Sequence, residues 1–190
     1  RSKKYVHENS VIIDLGCGPG NISQLLCSHW EHIKVIGIDG SNTMLAMARE
    51  RRNRLYGKRS RRLLYKCFDI SDFADTENTI KFSGDVIVSN SLLHHLQDPM
   101  DLWRATKNLA RKECFVFHRD LRRPDSYEEA LQIQEKHLNE APLVLKEDFL
   151  ASLLASYTTD EINDQLISEG LDHLKVFEVE DRYLEVVGIL

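Results

Sequence analysis

Three kinds of residue in this chain have types and spacings that can do chemistry: glycines grouped around an acid, acids that close apolar runs, and histidines placed after such runs. The stretch VIIDLGCGPG, residues 11 to 20, sets Asp14 at the end of an apolar segment and follows it with Gly16, Gly18 and Gly20. Glycines at that spacing let the backbone bend sharply and let a ligand approach the main chain with no Cβ in the way. A dinucleotide site uses G-x-G-x-x-G to cradle an anionic pyrophosphate, whereas here an acid precedes G-x-G-x-G. Asp14 would repel a pyrophosphate and favours a cationic ligand. A second apolar run, KVIGID, ends at Asp39, about twenty residues beyond the glycines, the distance at which an acid accepts hydrogen bonds from ribose hydroxyls. His94 and His95 form a tandem pair, and imidazole titrates near neutrality, so either can act as a general base. A histidine pair at a helix start can equally serve as cap and packing.

Asp14, Gly16, Gly18 and Gly20, followed by Asp39, resemble the first motifs of the class I S-adenosylmethionine-dependent methyltransferases, whose ligand carries a cationic sulfonium and ammonium and no phosphate. The continuation GSNTMLAMARERR resembles the family's next stretch and implies contacts from Gly40, Ser41 and Met44, with Met44 at the adenine. Plain core packing is the other reading of Met44. The resemblance further implies that Asp69 accepts from the adenine amino group and that the Ile70 backbone N–H reaches the ring, unless Asp69 is only a helix cap. Asn90, after the run DVIVS, falls where the family's main chain lies beside the methionine end. The LHHL run recurs in small-molecule, quinone-pathway-like relatives. S-adenosylmethionine is thus the expected cofactor, and an in-line transfer of its methyl group to an oxygen, nitrogen or carbon of a small molecule the expected reaction. No Asn/Asp-Pro-Pro-aromatic run and no Pro-Cys pair is present, which weighs against methylation of a flipped base.

The elements needed to position these residues alternate. Short buried strands are expected at 11–15, 34–39, 62–68, 85–89 and 114–118, with helices at 21–30, after a cap at Ser41 or Asn42, and at 98–110, and a terminal hairpin at 174–179 and 183–189. The fold class expected is α/β, a Rossmann-like doubly wound sheet of seven strands, mostly parallel, with one antiparallel strand near the C-terminal hairpin. Cys114 to His118 delivers His118 and Arg119, with Asp120, to the same sheet edge as Asp14 and Asp39, so His118 and Arg119 are candidate acceptor-binding residues. Arg119, with Arg122 or Arg123, would suit an acceptor carboxylate or phosphate. Residues 121 to 157 exceed a simple crossover and read as two helices split at Pro142, Tyr127 to Asn139 and Lys146 to Ser156. Such an insert can roof the pocket, or form an extra core layer or a dimer surface.

At 190 residues the chain fits one methyltransferase domain, residues 1–190. The first strand starts so early that the helix which commonly precedes it in this family is expected to be shortened or missing. No apolar run is long enough to span a bilayer, and the four scattered cysteines suggest neither a metal site nor a disulfide framework, so a reduced, cytoplasmic setting is expected. Residues 1 to 95 hold 14 basic and 10 acidic residues, whereas 96 to 190 hold 11 and 20. The basic excess lies mostly in Arg49 to Lys66, which reads either as a solvated face or as a nucleic-acid footprint. An RNA or tRNA methyltransferase, or a non-catalytic cofactor- or partner-binding module, are therefore the alternatives to a small-molecule enzyme. The sequence assigns no oligomeric state.

Overall fold

Near-continuous β-branched and aliphatic runs are what strands buried on both faces require, and they generate most of the sheet. In a computed structural model, which describes residues 5–55, 61–74 and 82–190, seven strands form one sheet. They are β1 (Val11–Leu15), β2 (Lys34–Asp39), β3 (Leu63–Cys67), β4 (Gly84–Asn90), β5 (Ala110–Leu121), β6 (Lys175–Val179) and β7 (Tyr183–Ile189). Their spatial order is β3-β2-β1-β4-β5-β7-β6. The pairings from β3 to β5 are parallel, while β7 runs antiparallel to both β5 and β6. The order reverses direction between β1 and β4, the topological switch point at which open α/β sheets bind ligands.

The strand pleat sends alternate residues to two separate cores. Ile13, Leu15, Ile36, Ile38 and Ile87 pack with Leu102, Trp103 and Leu109 of helix α3 (Met100–Leu109) and Ile162 and Leu166 of helix α6 (Thr159–Ser168). Ile12, Val35, Leu63, Val86, Val88 and Phe115 pack with Cys27 of helix α1 (Asn21–His29) and Leu45 and Ala48 of helix α2 (Asn42–Asn53). Trp103 is wholly buried, and its indole N–H donates to Gln165 Oε1 at 2.9 Å, so the largest side chain of the core carries no unmet donor. Helix α6 starts with a reciprocal capping box between Thr158 and Glu161.

The expected insert consists of helices α4 (Tyr127–Leu138) and α5 (Leu143–Ala155). The second begins three residues earlier than the Lys146 expected, because Pro142 occupies the N-cap and its fixed φ is already suited to helix entry. The two ends of the insert meet: Arg122 bridges Tyr157, and the Arg123 N–H donates to the Tyr157 carbonyl at 3.1 Å. Ile133 and Leu153 form a small third core with Leu121, backed by Phe149 and Tyr183, so the insert rests on the carboxyl end of β5 and the start of β7. The β6–β7 turn pins it. Asp181 accepts from Lys136 Nζ at 2.6 Å and contacts His137 and Arg182, and these partners, Lys136 foremost, hold its carboxyl well below the usual range.

Strand β5 departs most from expectation. It runs to Leu121 and not to His118, since Arg119, Asp120 and Leu121 pair with Glu185, Leu184 and Tyr183 of β7. The arginine-rich stretch is divided: Arg62 donates to the Trp30 and Ile33 carbonyls at the end of α1, at 2.9 and 3.1 Å, whereas Arg54 pairs with Glu50 on an exposed surface. Residues 56–60 of that stretch lie outside the described residues. No described helix is long and apolar enough to cross a membrane.

Candidate functional site

The turn after β1 needs its glycines for different reasons. Gly16, Gly18 and Gly20 have φ of +63°, +51° and +81°, the left-handed region that costs other residues about 1–2 kcal/mol. A Cβ on Gly16 would come within 2.5 Å of Leu92 Cδ1, and one on Gly20 would overlap the Tyr65 hydroxyl. Gly18 differs, because a Cβ there would meet nothing within 4 Å. Two of the glycines are thus demanded by the protein's own packing, and the middle one bares its backbone to open space.

Asp39 locks this turn to the next. One carboxylate oxygen accepts the Gly18 N–H at 2.8 Å and the other the Ser41 N–H at 2.8 Å, which leaves further acceptor positions on both oxygens. Ser41 caps α2 by accepting the Met44 N–H at 3.3 Å. Met44 is not a core residue: it is 42% exposed, and Leu45 and Ala48 carry the packing of this helix. A Cβ on Gly40 would lie 3.6 Å from an Asp69 carboxylate oxygen, so the ends of β2 and β3 adjoin. Asp69 is the cap of the short 3-10 turn Ile70–Phe73, accepting from the Ser71 N–H and hydroxyl at 3.0 and 2.8 Å. The Ile70 side chain is buried beside α3.

Asp14 lies beneath the turn and lines no open surface. It is 1% exposed, and the Ser23 hydroxyl of α1 donates to it at 2.5 Å. Burial pushes its pKa up to about 7, with the Ser23 bonds opposing and the Asp39 charge adding to the rise.

Beyond β4 the chain turns over the end of the sheet. Asn90 is exposed, and Ser91 adopts φ +55°, strained for a residue with a side chain. The Ser91 N–H donates to the Arg119 carbonyl at 2.9 Å. Asp120 organises the Leu92–His94 turn: one oxygen accepts the Leu92 and Leu93 N–H groups at 2.8 and 2.7 Å, and the other lies 2.5 Å from His94 Nδ1. The His94 and Asp120 side chains are 4% and 5% exposed. His95 is exposed, its ring 4.0 Å from that of His94, and desolvation followed by the neighbouring His94 charge lowers its pKa. Helix α5 of the insert packs against this Leu93–His95 turn.

The four acceptor-side candidates do not share one cavity. His118 is 3% exposed and sealed between sheet and α3, with Nδ1 2.8 Å from the Ser89 hydroxyl and Nε2 3.1 Å from that of Thr106. Burial lowers its pKa to about 3, so it is a neutral packing histidine edge-on to Trp103, and its expected acceptor role is withdrawn. The pleat decides this: His118 and Asp120 point to the α3 face, and Arg119 to the opposite one. Arg119 stacks on the Tyr183 ring at 4.3 Å with Glu180 and Glu185 at 3.8 and 3.7 Å. Arg122 stands 3.8 Å from Glu178, and Arg123 pairs with Glu161, so each of the three arginines faces an acid of the chain itself. A cavity of about 560 Å³ runs from Asn90 along the α1 face of the sheet, lined by Ile22, Val88, Phe117, Val179 and Glu185 among others. Asp120 is the residue whose weight the sequence concealed. Extending β5 by three residues in the alternation would have set it beside His118 and below His94.

A doubly wound sheet of this strand order, with β7 inverted, a glycine turn after β1 and an acid closing β2, defines the Rossmann-like methyltransferase architecture. Residues 13–116, more than half of the chain, match the family model described as a methyltransferase domain, and the chain belongs to that family. It is 30% identical over 149 residues to a trans-aconitate 2-methyltransferase of Methylobacterium nodulans, covering 77% of this chain and 50% of the relative. It is 37% identical over 91 residues to the enzyme of the same name from Variovorax paradoxus, covering 48% and 30%. The chain thus spans half or less of the length of these curated relatives. Among solved structures, a SAM-dependent methyltransferase from Aquifex aeolicus has TM-score 0.67 and 18% identity, covering 98% of this chain and 86% of that one. The plantazolicin methyltransferase BpumL, in complex with a desmethyl analogue and SAH, has TM-score 0.70 and 17% identity, covering 98% and 79%. At these identities the likeness concerns the fold.

Proposed function

We propose that the protein binds S-adenosylmethionine and transfers its methyl group to a small-molecule acceptor. The observation that carries this reading is the pairing of Gly18, whose backbone faces open space at positive φ, with Asp39, a carboxylate that keeps acceptor positions free while holding the Gly18 N–H. That cradle fits a nucleoside ligand approached by its ribose. Asp39 would accept the ribose hydroxyls. Gly16, Gly18 and Gly20 would bring main chain to the methionine portion, and Asn90 would close its far end. Gly40, Ser41 and the exposed Met44 would border the adenine, with Asp69 and the Ile70 N–H at its edge. Asp14, too deep for contact, acts through its charge, and a cation above the turn would favour its ionised form.

The cofactor, when bound, supplies a methyl carbon already activated by sulfonium. The chain then has to bind, align and exclude water, and orientation alone can supply about 7–11 kcal/mol. His94 and His95 are the candidate bases for an acceptor that carries a proton. The names of the matched relatives support a small-molecule acceptor and point to trans-aconitate, not to a quinone precursor, as the first compound to try. An acceptor carboxylate at Arg119 would have to displace Glu180 and Glu185, which stand 3.8 and 3.7 Å from the guanidinium.

Calorimetry with S-adenosylmethionine, S-adenosylhomocysteine and NAD tests the cofactor. Micromolar binding of the first two and none of NAD is expected, and tight NAD binding without response to the others would sink the reading. Mass spectrometry of a metabolite extract incubated with isotope-labelled cofactor identifies the acceptor. Steeply salt-dependent RNA binding together with label entering RNA would favour an RNA methyltransferase instead.

A further inference from the structure

We propose that Asp120 is a positioning residue that presets His94 as a proton acceptor through its Nε2 nitrogen. The inference rests on the methyl-transfer reading above for its chemical purpose, though not for its geometry.

The Asp120 carboxylate is nearly enclosed, and three backbone N–H groups converge on it: Leu92 and Leu93 on one oxygen, Leu121 on the other at 2.8 Å. A carboxylate so surrounded by donors has only acceptor capacity to offer. The fourth contact, 2.5 Å from His94 Nδ1, is then a bond in which the imidazole donates. In a neutral imidazole one nitrogen carries the proton and the other the lone pair, so a proton fixed on Nδ1 leaves Nε2 as the base. Among the described residues Nε2 has no hydrogen-bond partner, so within them only Nδ1 is committed. The same carboxylate holds the turn that carries the imidazole, so backbone and ring are fixed by one group. The carboxylate of a catalytic Ser-His-Asp triad sets its histidine tautomer by the same physics.

For an acceptor whose nucleophile bears a proton, the step balances without a further reactant. The nucleophile's lone pair bonds the methyl carbon, the carbon–sulfur pair returns to sulfur, and the acceptor's proton passes to His94 Nε2. The resulting imidazolium is stabilised by Asp120 and later returns its proton to water. Among the described residues His95, whose ring lies against that of His94, has no hydrogen-bonded carboxylate partner and is not preset in this way.

The deciding experiment is long-range proton–nitrogen NMR of the ¹⁵N-labelled protein, above the imidazole titration range, with His94 assigned by loss of its signals in His94→Gln. The expected wild-type spectrum shows Nδ1 protonated and Nε2 bare. In Asp120→Asn the amide oxygen can keep the Leu92 and Leu93 N–H groups while its NH₂, at the cost of the Leu121 N–H bond, donates to Nδ1, so the tautomer inverts and Nε2 takes the proton. Methyl transfer into the extract should then fall by about 10²-fold or more with cofactor affinity unchanged. A wild-type His94 protonated on Nε2, or an Asp120→Asn spectrum with the tautomer unchanged, overturns the proposal. Should Asp120→Asn not fold, the wild-type spectrum decides alone. Calorimetry on the same sample separates the two readings: the expected tautomer without cofactor binding removes the methyl-transfer reading and leaves the dyad, and the converse removes the dyad.

Discussion

Replacing Gly18 by Ala isolates the contribution of one methyl group to ligand approach. Its φ of +51° makes any side chain pay the left-handed penalty, about 1 kcal/mol for alanine, but a Cβ meets nothing of the protein within 4 Å. For a domain of this size that is a fall in Tm of about 2–4 °C. Gly20→Ala carries the same backbone penalty and adds overlap with Tyr65 and a 3.1 Å approach to the Ala48 Cβ, so overpacking of about 1–3 kcal/mol is added to it. Gly18→Ala should therefore be the more stable variant and yet the worse binder. The new methyl stands where the ligand's main-chain contact is proposed, and S-adenosylhomocysteine affinity should drop by about tenfold or more, equivalent to about 1.4 kcal/mol. Thermal denaturation and calorimetry measure both quantities on the same samples. Unchanged affinity in Gly18→Ala would mean that the cofactor does not pass over this glycine, and a Gly18→Ala less stable than Gly20→Ala would refute the packing analysis.

Asp39→Ala should weaken cofactor binding by about 1–3 kcal/mol in calorimetry, with a small loss of stability because the Gly18 and Ser41 N–H groups lose their acceptor. His94→Ala should lower turnover by about 10²-fold or more at unchanged cofactor affinity, and His95→Ala should lower it less, as kcat and Kd measurements will show. Two buried groups give opposite pH dependences. His118 has its pKa lowered from 6.5 to about 3, so the unfolded chain binds more protons between those values and stability is lost as pH falls through that window. Asp14 has its pKa raised from 3.8 to about 7, so the folded chain binds more protons and stability is lost as pH rises through nearly the same window. Each contributes about 1.4 kcal/mol per pH unit and they largely cancel. Urea denaturation from pH 4.5 to 6.5 should thus find His118→Gln losing stability with rising pH and Asp14→Asn gaining it; parallel curves would refute the assigned shifts.

Much of the β1-to-β2 region was legible in the sequence because its geometry is local. A glycine turn of five residues needs no distant partner to bend, and Asp39 closes its own strand next to that turn, so the order β1, turn, α1, β2 comes from apolar runs and backbone freedom alone. The C-terminal hairpin was legible for the same reason, with Glu180, Asp181 and Arg182 separating two apolar strands. A single helical position changes the environment there, as Met44 lies outside while Leu45 lies inside, so of its two readings core packing is the one the structure removes. The acceptor side was decided by pairing across the chain. Strand β7, more than sixty residues later, keeps Arg119, Asp120 and Leu121 in extended backbone by pairing with them, while Asn90 of β4 pairs with Arg119 from the other side. Once they are in the strand, the pleat buries His118, turns Arg119 toward Glu185 and Tyr183, and aims Asp120 at the Leu92–His94 turn carried by β4. No local pattern in residues 110–121 contains that partner, because a strand's extent is set by the hydrogen bonds its neighbour offers and its side-chain directions by the extent.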